Sequence, residues 1–450
     1  MRRRLRLPVL GYNGRVMRFL DTALQSRSEI VLTLTKRPLE KLAEVEGTVR
    51  QILTAVREHG DEAIVEYTRK LDWPGATVET LEADLSIAQP GVSGAPLAES
   101  ARRIVAFHEE ELARSAGWRK DFDGGISLGQ RVRPVGRAGI YVPGGKALYP
   151  STVLMAALPA VVAGVRQIVF CSPANSAGEI SPVVAEAMAL VEEYAEKAGA
   201  TVRAFKLGGA VAIGAMAYGT ATVPRVDVIA GPGNDYVNIA KRLVYGDAGI
   251  DMLAGPSDVA IIADEGANPA FVAADLLAQT EHGPENRGVL LSPSQHLLDA
   301  ARAEYERQRA TLSRQAILAA SGENVIFVAT ADLSEAADLA NALAPEHLEL
   351  QVRAPEALLN SIENAGAILL GDFTSAPIGD YLAGPSHTLP TGGAARFSSP
   401  LSAATFTKRS SILFYGKDAA CAVAPDVARF AKAEGFDAHA AAATIRAARA

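Results

Sequence analysis

Residues 139–173 read GIYVPGGKALYPSTVLMAALPAVVAGVRQIVFCSP. The run GIYV is short and apolar and closes on Pro143, Gly144 and Gly145, as a buried strand entering a turn does. Ser151 to Gly164 is apolar on every side, which suits a helix covered by protein. QIVFCSP then repeats the strand and turn. Strand, helix and strand in such short order make the two strands parallel neighbours. The rhythm continues through VRAFKLGG and DVIAGPGN, with helices at Val183–Ala198, Ala210–Tyr218 and Tyr236–Tyr245. A second series follows: DVAIIAD, GVLLSPS, NVIFVAT, HLELQV and AILLGDF. The expected fold class is α/β, with two incomplete Rossmann-like parallel-sheet modules. Such sheets hold ligands in a cleft at the C-terminal ends of their strands.

Upstream of these modules the period changes. From Leu39 to Leu71 the stripe Val45, Val49, Ile52, Leu53, Val56, Ala63 and Tyr67 predicts helix. A Pro/Gly/Ser-rich loop at Ala88–Pro96 separates it from another amphipathic helix, Leu97–Ala116. The first 38 residues are basic and weakly patterned, with a peripheral helix expected on Arg15–Ala23. Downstream, Asp426–Ala450 reads as an Ala-rich helix pair broken at Gly435. That tail is too thin to fold alone and must pack on the body or on another subunit. The expected plan is therefore a helical N-terminal segment (1–40), a first α/β domain (41–140 with 251–395), a second (141–250) and a C-terminal helical tail (396–450).

Composition excludes several classes. Of 450 residues 49% are hydrophobic and 21% charged, enough for a large core. A net charge of −7 argues against a nucleic-acid partner. No apolar run approaches the ~18 residues of a membrane span. The start MRRRLRLPVL resembles an export signal, but Gly11, Asn13, Arg15 and Arg18 interrupt any apolar region behind it. Two cysteines, Cys171 and Cys421, exclude a disulfide scaffold. The cytoplasm is the expected location.

The polar motifs are more specific. In NPAFVAADLLAQTEHG (268–283) Asn268 is an N-cap, Pro269 suits the first helical position and Gly283 is a stop. Phe271, Leu276 and Leu277 give an apolar face. Gln279 and His282 share a face in the last turn, where the helix dipole favours a cation. They read as half a metal site or as a solvated helix end. PEHLEL sets Glu346 and His347 side by side in a loop, a pairing suited to acid/base work. GDYLAGPSHTLPTGG carries Asp380 and His387, EGFDAH carries Glu434 and His439, and AGPSD carries Ser257. GIYVPGGKA nearly spells a phosphate loop, but Ala147 replaces the hydroxyl that magnesium requires. GPGN at 231–234 is a strand–turn–helix junction suited to a pyrophosphate. Cys171 reads as a small core residue, and His59, His108 and His296 as packing or surface histidines.

Together YVPGG, VLMAALPA, KLGGA-x-AI, AYGT, GPGN-x-YV, AKR, GIDM-x-AGPS, DLLAQ-x-EHGP, PEHLEL, GDYLAGPSHTLPTGGAARFSSPLS and EGFDAH run in order from about Leu39 to Arg446. In these motifs the chain resembles histidinol dehydrogenase. The resemblance implies NAD- and zinc-dependent four-electron oxidation of L-histidinol. It implies zinc ligands Gln279, His282, Asp380 and His439, and an acid/base pair Glu346 and His347. Substrate contacts would come from Ser257, His387 and Glu434 together with Gln279, His282, His347, Asp380 and His439. The 141–250 module would bind NAD through Tyr141 and Asn234. Val211 stands where a cofactor-contacting glutamine is usual. A homodimer with exchanged C-terminal tails is implied. A divergent relative oxidising a sulfonated or phosphorylated diol, and an inactive metal- or nucleotide-binding homologue, are the alternatives.

Overall fold

The computed structural model describes residues 17–36, 42–87, 94–144 and 148–448. The Arg-rich start and Gly145-Lys146-Ala147 lie outside the described residues.

Two parallel sheets carry the chain. One has five strands in the order Thr201–Phe205, Gln167–Cys171, Arg137–Tyr141, Val228–Ala230, Gly249–Ile250. The other has six, in the order Arg18–Asp21, Val325–Ala329, Arg287–Ser292, Asp258–Ala263, His347–Gln351, Ala367–Leu370. Every pairing in both is parallel. Asp258–Ala263 is buried at all six positions. That is why these strands read as continuous apolar runs rather than as alternation. Strand order reverses between Arg137–Tyr141 and Val228–Ala230 in the small sheet, and between Asp258–Ala263 and His347–Gln351 in the large one. These are the topological switch points. The helices Pro150–Ala163, Pro182–Lys197, Gly209–Tyr218 and Asp235–Val244 fall where the residue pattern places them. Among the described residues no helix is long and apolar enough to cross a membrane.

Several expectations change. Arg18–Asp21, within the helix expected at Arg15–Ala23, is an edge strand paired with Val325–Ala329. The N-terminal helix is Arg27–Thr35, started by a capping box of Ser26 and Glu29. That S-x-x-E signal stands in the sequence, whereas four residues of edge strand carry almost none. The Leu39–Leu71 pattern is two helices, Leu42–His59 and Asp61–Leu71, divided at Gly60. From the stretch expected to join 251–395, the helices Leu42–His59 and Gly94–Arg114 pack on helices of the small-sheet module. Val49, Ile52, Leu53 and Val56 share a core with Ala210–Ala217, and Leu97, Ala101 and Ile104 with Leu154 and Leu158.

A third sheet, antiparallel and exposed, was not legible. Trp118–Phe122 and Ile126–Pro134 form a hairpin around Gly124 and Gly125, both left-handed. Thr407–Tyr415, inside the segment expected to be a helical tail, pairs along all of Ile126–Pro134. Beyond it the helices Lys417–Ala433 and Asp437–Ala448 pack on each other through Ala428, Ala431 and Ala440.

Candidate active site

Two cavities adjoin at the C-terminal edge of the small sheet, and the smaller is lined from the large sheet as well. The larger, ≈ 1030 Å³, opens at the C-terminal edge of the small sheet and is lined by Tyr141, Gly144, Gly208, Gly209, Asn234 and Tyr236 among others. The buried Tyr141 hydroxyl accepts the Gly209 N–H at 3.1 Å, and burial pushes its pKa up to about 12. It therefore remains a phenol with its proton free to donate. Asn234 is the N-cap of Asp235–Val244, accepting the Val237 N–H at 3.2 Å. Gly231 sits at the switch point with φ +116°, where a Cβ would lie 2.1 Å from the Tyr141 carbonyl oxygen. Only glycine fits there.

Val211 does not face this cavity. Its side chain is 2% exposed and belongs to the core beneath the Gly209–Tyr218 helix. Gly208, Gly209 and Ala210 line the cavity, and the next residue has turned inward.

Lys241 and Asp251 brace the same turn and escaped the sequence reading except as letters of AKR and GIDM. Lys241 Nζ donates to the Gly231 carbonyl at 3.0 Å and is ion-paired with Asp251. Asp251 in turn accepts the Gly231 N–H at 2.8 Å and the Met252 N–H at 2.6 Å. Both side chains are buried. Lys241→Met would leave a carboxylate buried without its cation, which costs about 3–5 kcal/mol. A urea midpoint converted to free energy should show that loss; a loss below about 1 kcal/mol would remove the ion pair from the account of this turn.

The smaller cavity, ≈ 440 Å³, is lined by Ser257, Gln279, His282, Glu346, His347 and Asp380, with His387 beside them. Pro143, Gly144 and Asn234 line both cavities. The cleft was expected at the C-terminal ends of both sets of strands. It does lie there in the small sheet, but the large sheet contributes its N-terminal edge. Ser257 precedes Asp258–Ala263, and His347 opens His347–Gln351. In a parallel sheet the returning helices end at that edge, which brings in Gln279 and His282 and the partial negative charge of a helix C-terminus. The helix is Pro269–Thr280, with the N-cap at Asn268 as read. It ends before Gly283, which has no left-handed φ, so His282 stands past the last turn rather than within it. Phe271, expected on the apolar face, is half-exposed.

Glu346 and His347 leave Leu333–Leu343 through Ala344, at φ 52° the one left-handed non-glycine among the described residues. The Glu346 N–H donates to Asp258 Oδ1 at 2.6 Å, and the Asp258 N–H donates to Glu346 Oε2 at 3.3 Å. Ser257 also hydrogen-bonds to this carboxylate. Asp258 was missed by the sequence reading; its signal is an acid opening an otherwise apolar strand. Burial pushes Glu346 up to about 7. His347 Nε2 lies 3.5 Å from Asp380 Oδ1. Burial alone would lower the His347 pKa, but Asp380 and Glu346 outweigh it and raise the value to about 9. Burial would raise Asp380, yet His347 holds it below the usual carboxylate range. Burial lowers His282.

Three polar atoms lining this cavity are buried with no protein partner: Gln279 Nε2, His347 Nδ1 and Thr388 Oγ1. Buried polar groups are seldom left so, and ligand sites are where they are. His387 differs, since Nδ1 meets the Asp380 carbonyl at 2.9 Å and Nε2 the Thr152 hydroxyl at 3.3 Å. Glu434 and His439 are exposed on the tail and do not line this cavity within one chain. Among the described residues no three His, Cys, Asp or Glu side chains gather as a metal requires. Cys171 is fully buried and burial pushes its thiol well up, so it is no nucleophile.

The sequence model of the histidinol dehydrogenase family matches residues 35–447. The chain is 46% identical to the histidinol dehydrogenase of Aquifex aeolicus over 95% of its own length and 97% of that protein's. It is 44% identical to that of Gloeobacter violaceus over 94% and 95%. The crystal structure of histidinol dehydrogenase from Elizabethkingia anophelis superposes with a TM-score of 0.87 at 31% identity, covering 97% of this chain and 99% of that one. With the two joined cavities, these likenesses identify a dehydrogenase: the chain belongs to the histidinol dehydrogenase family.

Proposed function

We propose that the protein oxidises L-histidinol to L-histidine by two successive hydride transfers to NAD. The carrying observation is a cavity sized for a small substrate, holding a buried acid/base pair with unpartnered polar atoms, joined to a larger cavity at a glycine turn. NAD would lie in the larger cavity, with Tyr141 and Asn234 beside it, and would take both hydrides.

The donor set suits zinc. Gln279, His282 and Asp380 offer an amide oxygen, an imidazole and a carboxylate in one cavity. A zinc ion there would hold the substrate's amine and imidazole nitrogens. His439, and Glu434 for the substrate, would come from the tail of a second copy. The apolar side chains exposed on the hairpin and tail, including Trp118, Leu413, Phe414 and Phe430, support such a dimer.

His347, whose pKa Asp380 and Glu346 raise to about 9, takes the hydroxyl proton at Nδ1 from its neutral form as the alcohol loses its first hydride. Glu346, held by Asp258 and Ser257, takes a proton from the water that adds to the aldehyde. The resulting diol loses the second hydride and a proton to become the acid. Among the described residues lining the small cavity the single lysine or arginine is Lys241, and it is engaged by Asp251. Among those residues a sulfonate or phosphate finds no free cation, which favours the amine-bearing substrate over a diol anion.

Purified protein should yield two NADH per L-histidinol; absence of turnover by zinc-loaded protein would reject the substrate. Glu346 must be ionised to accept a proton, and burial holds it near 7. Below that pH the oxidation of added aldehyde, the step assigned to Glu346, should fall roughly tenfold per unit. A flat profile between pH 5.5 and 7 would remove Glu346 as the base. Gln279→Ala is expected to lower zinc content, and metal analysis showing full occupancy would reject that ligand.

A further inference from the structure

Two acids outside both cavities lie behind the metal-binding side chains. Asp275 sits on the Pro269–Thr280 helix, four residues before Gln279. Glu349 and Gln351 share a face of the His347–Gln351 strand with His347. Gln351 Nε2 donates to Asp275 Oδ2 and to Glu349 Oε2, each at 2.8 Å, so both its N–H groups are used. Glu349 Oε1 accepts the Ala376 N–H at 3.2 Å. Ala376 opens the short helix Ala376–Tyr381, which carries Asp380. Exposure is 8%, 1% and 1% for Asp275, Glu349 and Gln351.

We infer that Asp275, Glu349 and Gln351 form a buried clamp that fixes the helix bearing Gln279 against the helix bearing Asp380, and so sets the separation of the cation-binding side chains. The inference rests on the ligand reading proposed above. One hydrogen-bond chain runs from the Asp275 carboxylate through the Gln351 amide and the Glu349 carboxyl to the Ala376 backbone, spanning helix, strand and helix. Two carboxylates in hydrogen-bond contact this deep cannot both be charged cheaply, and burial together with Asp275 pushes Glu349 up. Glu349 thus keeps a proton and donates it to Asp275. None of the three lines the substrate cavity, so they act as positioning residues and touch no reacting atom.

The test compares Glu349→Gln, Glu349→Leu, Gln351→Met and Gln279→Ala in the full-length protein. Zinc affinity is read by competition with a chromogenic chelator, alongside kcat, KM for NAD and unfolding of the chelated protein. Glutamine preserves both a donor toward Asp275 and an acceptor for Ala376, so Glu349→Gln should bind zinc within about threefold of the parent. Glu349→Leu removes both and should weaken zinc about 10–100-fold and lower kcat, with KM for NAD unchanged. Gln351→Met should weaken zinc in the same direction, and it decides the matter if Glu349→Leu does not fold. Parent-like zinc affinity in folded Glu349→Leu, or in Gln351→Met where leucine does not fold, overturns the clamp. Equal damage from glutamine and leucine overturns the protonated Glu349. Full zinc binding by Gln279→Ala overturns the ligand reading itself; loss there with parent-like clamp variants overturns only the clamp.

Discussion

His347→Asn is expected to lower kcat by about 10²- to 10⁴-fold, the range for removing a positioned acid/base group, while zinc content stays at the parental level. The imidazole has one nitrogen toward Asp380 and the other buried without a partner, so its neutral form offers a proton acceptor to the hydroxyl. Asparagine fills similar space and keeps hydrogen bonding but cannot take up a proton at neutral pH. Near-parental turnover would remove His347 from the chemistry. Glu346→Gln should differ in kind. It retains the first oxidation and stalls the hydration, so NADH per L-histidinol should fall from two toward one, with aldehyde trapped by hydroxylamine. If both variants still yield two NADH at the parental rate, the division of labour between these neighbours is wrong.

His439→Ala should lose most activity although the side chain stands clear of its own chain's cavity. The reason is the exposed position of the tail, whose histidine, on the proposed tail exchange, would serve the site of another copy. His347→Asn and His439→Ala chains, each nearly inactive alone, should therefore restore activity when unfolded, mixed and refolded together. A mixed dimer has one site with an intact body and an intact tail, so an equal mixture should recover about a quarter of parental activity. Recovery no greater than the sum of the separate variants would refute tail exchange. Size measurement of the same samples separates that outcome from failure to dimerise.

The residues alone were enough for the parallel sheets, because strands buried on both faces must be apolar and the helices between them carry their own periods and stops. They also marked Gln279 and His282 at a helix end and Glu346 beside His347, because such pairs are local objects. The tertiary structure decided what depends on distant partners. Arg18–Asp21 is a strand because Val325–Ala329 offers it an edge, and Thr407–Tyr415 because Ile126–Pro134 does. Val211 is core because its helix turns it away from the cavity. Asp258 meets Glu346, Lys241 meets Gly231, and Asp275 meets Gln351 across separations of 88, 10 and 76 positions along the chain. The large sheet presents its N-terminal edge to the site for the same reason: local pattern sets strand direction within a module, whereas the way two modules face each other depends on packing across the whole core.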